Sequence, residues 1–399
     1  MIYDDDMKYF FVLGTNAALS VAELNAVLGL KQPRLLAADF LVAEGAWDFD
    51  PDNLIKRLGG IIKIGRVVKE IKSGSDANLH AAVRELAVFR QEAAAEGKFN
   101  FGISTYGKRY FNKQDLGLKL KKYFSDAKIS SRFVISREKT LSSVVVAQNK
   151  LLKRGVEIIL AGDGDNIIIG ETLAVQPFKD LSLRDYGRPS RDDLSGMLPP
   201  KLAQIMLNLA QVKEADAIID PFCGSGTILS EAIVLGYKNL FGSDISPKAV
   251  DDTRKNISWT KELYKVGDFR SKLAVQNVLD LSQTIKEASI DAVVTEPYLG
   301  PQRGLISFAV VIRDLEELYS GAIAEFSKIL KPGGRVVMVW PMFYGEKPMT
   351  PDYAGFKVMN MIPADLRGNE FIKQTKRDTI VYSRPNQKVY REVVVLEKL

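Results

Sequence analysis

"AIIDPFCGSGTIL", residues 217–229, sets four apolar-to-acidic residues, a turn with two glycines and an apolar helix start side by side. Ala217 to Asp220 reads as the end of a buried strand, and Thr227 as the first residue of a helix. Between them Gly224 and Gly226 let the backbone turn tightly and admit a ligand where a β-carbon would block it. A dinucleotide fingerprint needs a third glycine, and Leu229 stands in that place; no lysine follows, so the turn is not a P-loop either. The next apolar run, "NLFGSD", ends in Asp244, eighteen residues after Gly226. A carboxylate there is placed to hold the hydroxyls of a ribose, since ligands of open α/β sheets bind at the carboxyl ends of strands. The competing reading is that Asp244 only caps the helix beginning "SPKAV".

Outward from this turn the pattern alternates. "SPKAVDDTRKNISW" and "VIRDLEELYSGAIAEFSKIL" read as helices, and "LAVQNVLDL", "IDAVVTEPYLG" and "GGRVVMVWP" as strands. Such alternation predicts a mostly parallel sheet covered on both faces. The final "DTIVYSRPNQKVYREVVVLEK" reads as an antiparallel hairpin. The N-terminal half is different in kind. "KYFFVLGTN" is a strand, "SVAELNAVLGL" a helix with Ser20 and Glu23 spaced as a capping box and Gly29 at its end, "DNLIKRLGG" a helix and "IIKIGRVVKEI" a strand. Then follow a helix in "NLHAAVRELAVFRQEAAAEG", a strand in "KFNFGISTYG" and a helix in "DLGLKLKKYFSDA", with Leu116, Leu120 and Phe124 on its inner face. "RFVISR" and "SSVVVAQNKLL" read as strands, and "VEIILAGDGDNIIIGETLAVQ" as a hairpin around residues 162–166. Asp163 and Asp165 in that turn lack the spacing of a calcium loop. The expected organisation is an α+β domain over 1–70, a second over 71–178, a linker over 179–195 rich in Pro, Gly and mixed charge, and an α/β domain over 196–399.

With 399 residues the chain is long enough for two or three cores. No apolar run approaches the roughly 20 residues of a membrane span, and the acidic start "MIYDDDMKYF" is unlike a secretory signal. The expectation is therefore a cytoplasmic, monomeric protein without membrane contact. One cysteine excludes an internal disulfide, and Cys223 with His80 is too little for a structural zinc site, so no metal is expected. Serine–histidine chemistry would have only His80, which lies on an amphipathic helix.

The net charge is +6 and the pI about 9.0, but the distribution matters more. Fourteen Lys and Arg lie between Lys98 and Arg154 against Asp115, Asp126 and Glu138, so the rest of the chain is net acidic. The basic region is expected to contact a phosphate backbone through Lys108, Arg109, Lys119, Lys121, Lys122, Arg132, Lys150, Lys153 and Arg154; a solvated face is the alternative.

The fourth strand of the α/β half ends "VVTEPYLGP", with Glu296, Pro297 and Tyr298 projecting over the same crevice as the glycine turn. The two motifs together resemble amino-group methyltransferases that use S-adenosylmethionine. Over essentially the whole chain, "FFVLGTNAALSVAEL", "LGGIIKIG", "RDYGRPSRDDLSGMLPPKLAQIMLNLA", "DPFCGSGTILSEA" and "YSRPNQKVYRE" resemble the tRNA guanosine N2-methyltransferases that carry a THUMP domain. The resemblance implies a C-terminal Rossmann-like class I methyltransferase domain behind N-terminal ferredoxin-like and THUMP domains that hold tRNA. It also implies methylation of guanosine 10. It places Asp220, Pro221, Phe222, Cys223, Gly224, Ser225, Gly226 and Thr227 around the methionine part of the cofactor. Asp244 and Ile245 then fall at the ribose, Asn277 and Val278 at the adenine, and Pro199 in a flanking segment. Cys223 becomes a small loop residue and not a nucleophile.

The family's usual motif is Asp, Asn or Ser followed by Pro-Pro and an aromatic. Aligned without a gap, Glu296 takes the polar place, Pro297 keeps the first proline, and Tyr298 and Leu299 replace the second proline and the aromatic. Aligned on "PY", Thr295 would be the polar residue instead. The first alignment is the one expected, because a carboxylate supplies an acceptor for an exocyclic amine, and Tyr298 could then stack on an extruded base. Two other functions stay open: an amino-methyltransferase acting on other RNA or DNA, and an RNA-binding protein with a disabled catalytic half. Some family members need a small activating subunit, and no interface for one is readable here.

Overall fold

In the computed structural model all residues are described except 1–6, 75, 94–96, 192–196, 302–307, 344–346, 385–386 and 388. The chain forms two compact units. The first comprises Met1–Ser20, Leu28–Phe178 and Pro363–Ile372, and the second Val21–Val27, Lys179–Ile362 and Lys373–Leu399.

The first unit is built from β1 (Lys8–Leu13), the two ends of α1 (Ala17–Leu28, of which Val21–Val27 belongs to the second unit), β2 (Lys31–Ala37), β3 (Phe40–Glu44), α2 (Pro51–Arg57), β4 (Ile61–Lys72) and α3 (Asp76–Glu92). It continues with β5 (Phe99–Tyr106), α4 (Lys113–Asp126), β6 (Ser131–Val134), α5 (Ser143–Gln148), β7 (Gly155–Asp163) and β8 (Asn166–Val175). Its strands make one eight-stranded sheet, β2-β3-β1-β4-β8-β7-β5-β6. The division expected at residue 70 thus falls inside β4, whose antiparallel pairing with β8 joins both expected domains in one sheet. Leu79, Val83 and Leu86 of α3 and Leu116, Leu120 and Phe124 of α4 pack on Phe99, Phe101 and Ile158.

Two local expectations fail. The N-cap of α1 is Asn16, whose side chain accepts the Leu19 N–H at 3.0 Å. Ser20 sits inside the helix, its hydroxyl donating to the Gly60 carbonyl at 2.7 Å, so the Ser20–Glu23 capping box does not form. The β-branched run Val144–Val146, expected as a strand, is helix α5. Its Ser142 N-cap accepts from Val145 N–H, and Val146 is buried with Val134, Leu141 and Leu151.

The second unit contains α6 (Phe178–Tyr186), α7 (Pro200–Leu209), β9 (Ala217–Asp220), α8 (Thr227–Val234), β10 (Asn239–Asp244), α9 (Pro247–Tyr264) and β11 (Arg270–Val275). Then come β12 (Ile290–Thr295), α10 (Phe308–Ile329), β13 (Leu330–Phe343), β14 (Phe356–Val358), β15 (Ile380–Tyr382) and β16 (Val389–Lys398). The sheet order is β11-β10-β9-β12-β13-β16-β14, with β15 also on β16. From β11 to β13 every pairing is parallel, and β16 is antiparallel to β13. The expected strand over residues 273–281 stops at Val275, and Val278–Gln283 is a 3-10 turn.

The segment expected as a linker begins as helix α6. Its Arg184 is buried and bonds Glu231 of α8 at 2.7 Å, while Tyr264 of α9 donates to Asp180 at 2.6 Å. Burial works against the Arg184 charge, but Glu231, Tyr264 and Asp180 around it hold its pKa above the ordinary value. A side chain anchored this way fixes α6 to the two helices that flank the first strands of the sheet.

Candidate active site

The chain order reverses at β9: β10 and β11 lie on one side of it, and β12 and β13 on the other. At such a switch point the loops leaving adjacent strands diverge and leave a crevice. Here the crevice is a cleft of about 850 Å³, walled by the loop after β9, the ends of β10 and β12 and the turn after β11.

The glycine turn forms its floor. Gly224 has φ +51° and Gly226 φ +80°. A β-carbon on Gly226 would lie 2.9 Å from the Thr253 side chain, so only glycine fits there. The turn is tied down from three directions. Cys223 N–H donates to the Ser243 carbonyl at 2.9 Å, Thr253 donates to the Gly224 carbonyl at 2.8 Å, and Asn256 donates to the Ser225 carbonyl at 2.7 Å. Arg188 donates to the Thr227 hydroxyl at the start of α8. Cys223 is buried, and burial first and Asp220 second push its thiol up to about 12, which leaves no thiolate for nucleophilic attack.

Asp244 is both clamp and candidate ligand. Oδ2 accepts the Gly224 N–H at 3.0 Å and Oδ1 the Ser246 N–H at 2.9 Å. Each carboxylate oxygen has a second lone pair, so two acceptor sites remain for the cleft. Beside it Ile245 is 72% exposed, an apolar surface that a flat ring can cover. Asn277 caps the 3-10 turn by accepting the Leu279 N–H at 3.1 Å.

Asp220, fully buried at the end of β9, accepts from the Thr295 hydroxyl at 2.7 Å and from Phe222 N–H at 3.3 Å. Burial nevertheless raises its pKa to about 7, with Asp244 and Glu296 adding to the rise. Thr295 is therefore engaged beneath the cleft and does not line it, whereas Glu296 does. Glu296 is in the cleft wall with Pro297 and Tyr298. Its carboxylate takes Arg391 Nε at 2.6 Å and Nη2 at 3.4 Å. Burial raises the Glu296 pKa and the Arg391 charge works against that rise. Tyr298 is 60% exposed, and its carbonyl is pinned by the buried Tyr319 hydroxyl at 2.8 Å.

Of the expected cofactor residues, all but two line this cleft. Pro199 is the N-cap of α7, and Leu198 and Met197 form the wall in its stead. Gly226 lies beneath the loop as the N-cap of α8. Sequence reasoning gave no role to Arg391, which comes from β16 and lies in the quoted stretch "YSRPNQKVYRE".

The nine expected phosphate-contacting residues are all exposed in the first unit, but they do not make one stripe. The Ser130 carbonyl bonds Phe99 N–H and the Arg154 carbonyl bonds Asn100 N–H, and Asn100 Nδ2 donates to the Asn149 carbonyl. These bonds gather Arg132, Lys150, Lys153 and Arg154, with Lys98, at the starting end of β5, β6 and β7. Lys108 and Arg109 follow the other end of β5, roughly 25 Å away at about 3.3 Å per residue, beside Tyr110, which is 83% exposed. On α4, Lys119 pairs with Asp115 and Lys122 with Asp126. Lys121 has no ion-pair partner among the described residues.

Residues 188–344 match the family model described as UPF0020, an RMKL-like methyltransferase domain. That match lies within the second unit, in its segment Lys179–Ile362. The tRNA (guanine(10)-N2)-dimethyltransferases of Methanothermobacter thermautotrophicus and Methanocaldococcus jannaschii are each 34% identical, over 37% and 34% of this chain. The chain covers 40% and 39% of those two relatives. The mouse tRNA (guanine(6)-N(2))-methyltransferase THUMP3 is 28% identical over 46% of this chain and 35% of its own. The crystal structure of TrmN from Thermus thermophilus, 19% identical, superposes with a TM-score of 0.54 over 98% of this chain and 100% of that one, and so shares the fold. Among the described residues no helix is long and apolar enough to cross a membrane.

Proposed function

We propose that this protein transfers a methyl group from S-adenosylmethionine to the exocyclic N2 of a guanosine in tRNA, at position 10. The observation that carries the reading is the meeting of Asp244, the glycine turn and Glu296-Pro297 in one cleft of the methyltransferase domain. The guanine-10 relatives support the choice of base and position.

The residues present fit the cofactor. Asp244 keeps two acceptor sites for ribose hydroxyls, Gly224 presents no β-carbon toward the cleft, and Ile245 gives an apolar face for the adenine. Asn277 Oδ1 retains one lone pair for the adenine amine, and Asp220 puts a carboxylate near a cationic ligand. When bound, S-adenosylmethionine supplies an electrophilic methyl on a positively charged sulfur.

The chain's own residues do the rest. The guanine amine shares its lone pair with the ring and is a weak nucleophile until it is oriented. Glu296 and the Pro297 carbonyl are acceptors that turn that lone pair toward the methyl, and Glu296 takes up the proton that nitrogen releases as the N–C bond forms and the methyl–sulfur bond breaks, its electron pair staying on sulfur. Tyr298, exposed on a pinned loop, provides a face on which a flipped base can stack. The first unit would be the tRNA-holding part, its ferredoxin-like and THUMP portions sharing one sheet. The cluster Lys98, Arg132, Lys150, Lys153 and Arg154 would lie on the phosphate backbone.

The test is transfer of labelled methyl from S-adenosylmethionine to an unmodified tRNA transcript. Transfer supports the reading. Cofactor and tRNA binding without transfer would leave a disabled RNA-binding protein.

A further inference from the structure

Glu296 stands where the related motif has a shorter or uncharged residue, and it is 12% exposed with a charged partner that is itself 8% exposed. That partner, Arg391, is on β16, paired with Pro341 of β13, and it does not line the cleft. An arginine that touches both oxygens of one carboxylate fixes its rotation as well as its charge. We propose that Arg391 is a positioning residue for the transfer: from behind the cleft wall it sets the orientation of Glu296 and keeps that carboxylate able to accept from the amine.

The arrangement explains how a glutamate serves there. Its extra methylene lets the carboxylate swing, and the two contacts to Arg391 remove that freedom. They occupy one lone pair on each oxygen, and the longer Nη2 contact leaves Oε2 the less engaged acceptor. Among the described residues, the other ionisable groups facing Glu296 are Asp220 from β9 and Tyr319 from α10, neither of which supplies a positive charge. Without Arg391, burial would act on Glu296 unopposed, and the side chain would be protonated at higher pH than in the wild type.

The inference rests on the methyl-transfer reading, and its test has a readout that does not need activity. The carboxyl resonance of Glu296 is followed by NMR in protein labelled at glutamate, assigned by its loss in Glu296→Gln. In Arg391→Met its titration is expected to move up by about 1–3 pH units. Single-turnover transfer is expected to fall about 10²-fold, with its acid limb moved by the same amount and S-adenosylmethionine affinity retained. Arg391→Lys, which keeps a charge but not the two-point contact, falls between and serves where the methionine variant does not fold. In a Glu296→Gln background Arg391→Met adds no further loss. A titration unmoved in both variants, or losses that multiply in the double mutant, overturns the proposal. If the titration moves but the wild type transfers no methyl to tRNA, the functional reading fails while the ion-pair coupling stands.

Discussion

Removing the Asp244 carboxylate should abolish tight cofactor binding while sparing tRNA binding. In Asp244→Ala two losses combine. The acceptor sites left free by Gly224 and Ser246 disappear, and with them two charge-assisted hydrogen bonds to the ribose. The clamp on the Gly224 N–H also goes. Hydrogen bonds to a charged group contribute roughly 1.5–3 kcal/mol each, so two amount to about a 10²- to 10⁴-fold weaker complex at about 1.4 kcal/mol per decade. Asp244→Asn keeps one acceptor and the side-chain volume, and should lose about tenfold less. The assay is calorimetric titration with S-adenosylmethionine, with tRNA affinity by filter binding as the control. The basic residues lie in the other unit, so tRNA affinity should hold. Unchanged cofactor affinity in Asp244→Ala would refute the ribose role and return Asp244 to capping the helix that follows.

Glu296→Ala should lose about 10²–10⁴-fold in single-turnover transfer with little change in cofactor or tRNA affinity; residual activity in Glu296→Gln but not in Ala would indicate orientation, and equal loss proton acceptance. Wild-type rates in Glu296→Ala would remove the role. Charge reversal of Lys153 and Arg154 should weaken tRNA binding and flatten its salt dependence, whereas reversal of Lys119 and Lys122, already paired with aspartates, should do less. Equal effects of the two pairs would contradict the split surface. Asp220, with a pKa of about 7 in the folded protein, must ionise to favour a cationic ligand. S-adenosylmethionine binding should therefore weaken as pH falls through about 7 and release a proton at neutral pH, measured by calorimetry in buffers of different ionisation enthalpy; Asp220→Asn should show neither effect. The sign for folding is opposite. Asp220 and Glu231 are both raised to about 7 by burial, and the unfolded chain ionises them at lower pH. Unliganded stability should thus fall as pH rises from the ordinary carboxylate range to about 7, a fall measured by urea denaturation across that range.

What was legible in the sequence was local. The strand, glycine turn and helix at residues 217–234 and the acidic end of β10 are fixed by neighbours a few residues away, so the cleft floor could be read directly. Arg391 could not, because it meets Glu296 only through the antiparallel insertion of β16 beside β13, 95 residues along the chain. The one-sheet build of the first unit was hidden for the same reason: β4 finds β8 across about a hundred residues. Two local patterns were outcompeted. The serine and glutamate of the expected capping box lost to Asn16, which lies nearer the first turn of α1. The valines of α5 follow a serine cap that starts a helix before β-propensity can act. Helix α6 carries too little apolar periodicity to be seen, since what anchors it is the polar Arg184. Pro199, expected in the segment flanking the cofactor, is the N-cap of α7 next to the cleft-lining Met197 and Leu198, and a proline-rich entry to a helix does not show which side chain faces inward.

The central claim is that this cleft methylates a guanine amine, and nucleoside analysis of the product tests it most directly. Unmodified tRNA transcript incubated with the wild-type protein and S-adenosylmethionine is digested to nucleosides and mapped by mass spectrometry. The account predicts N2-methylguanosine or its dimethyl form at position 10, absent in Glu296→Ala. Methyl found on an adenine amine, on a base carbon, or on no nucleoside despite intact cofactor binding would contradict it.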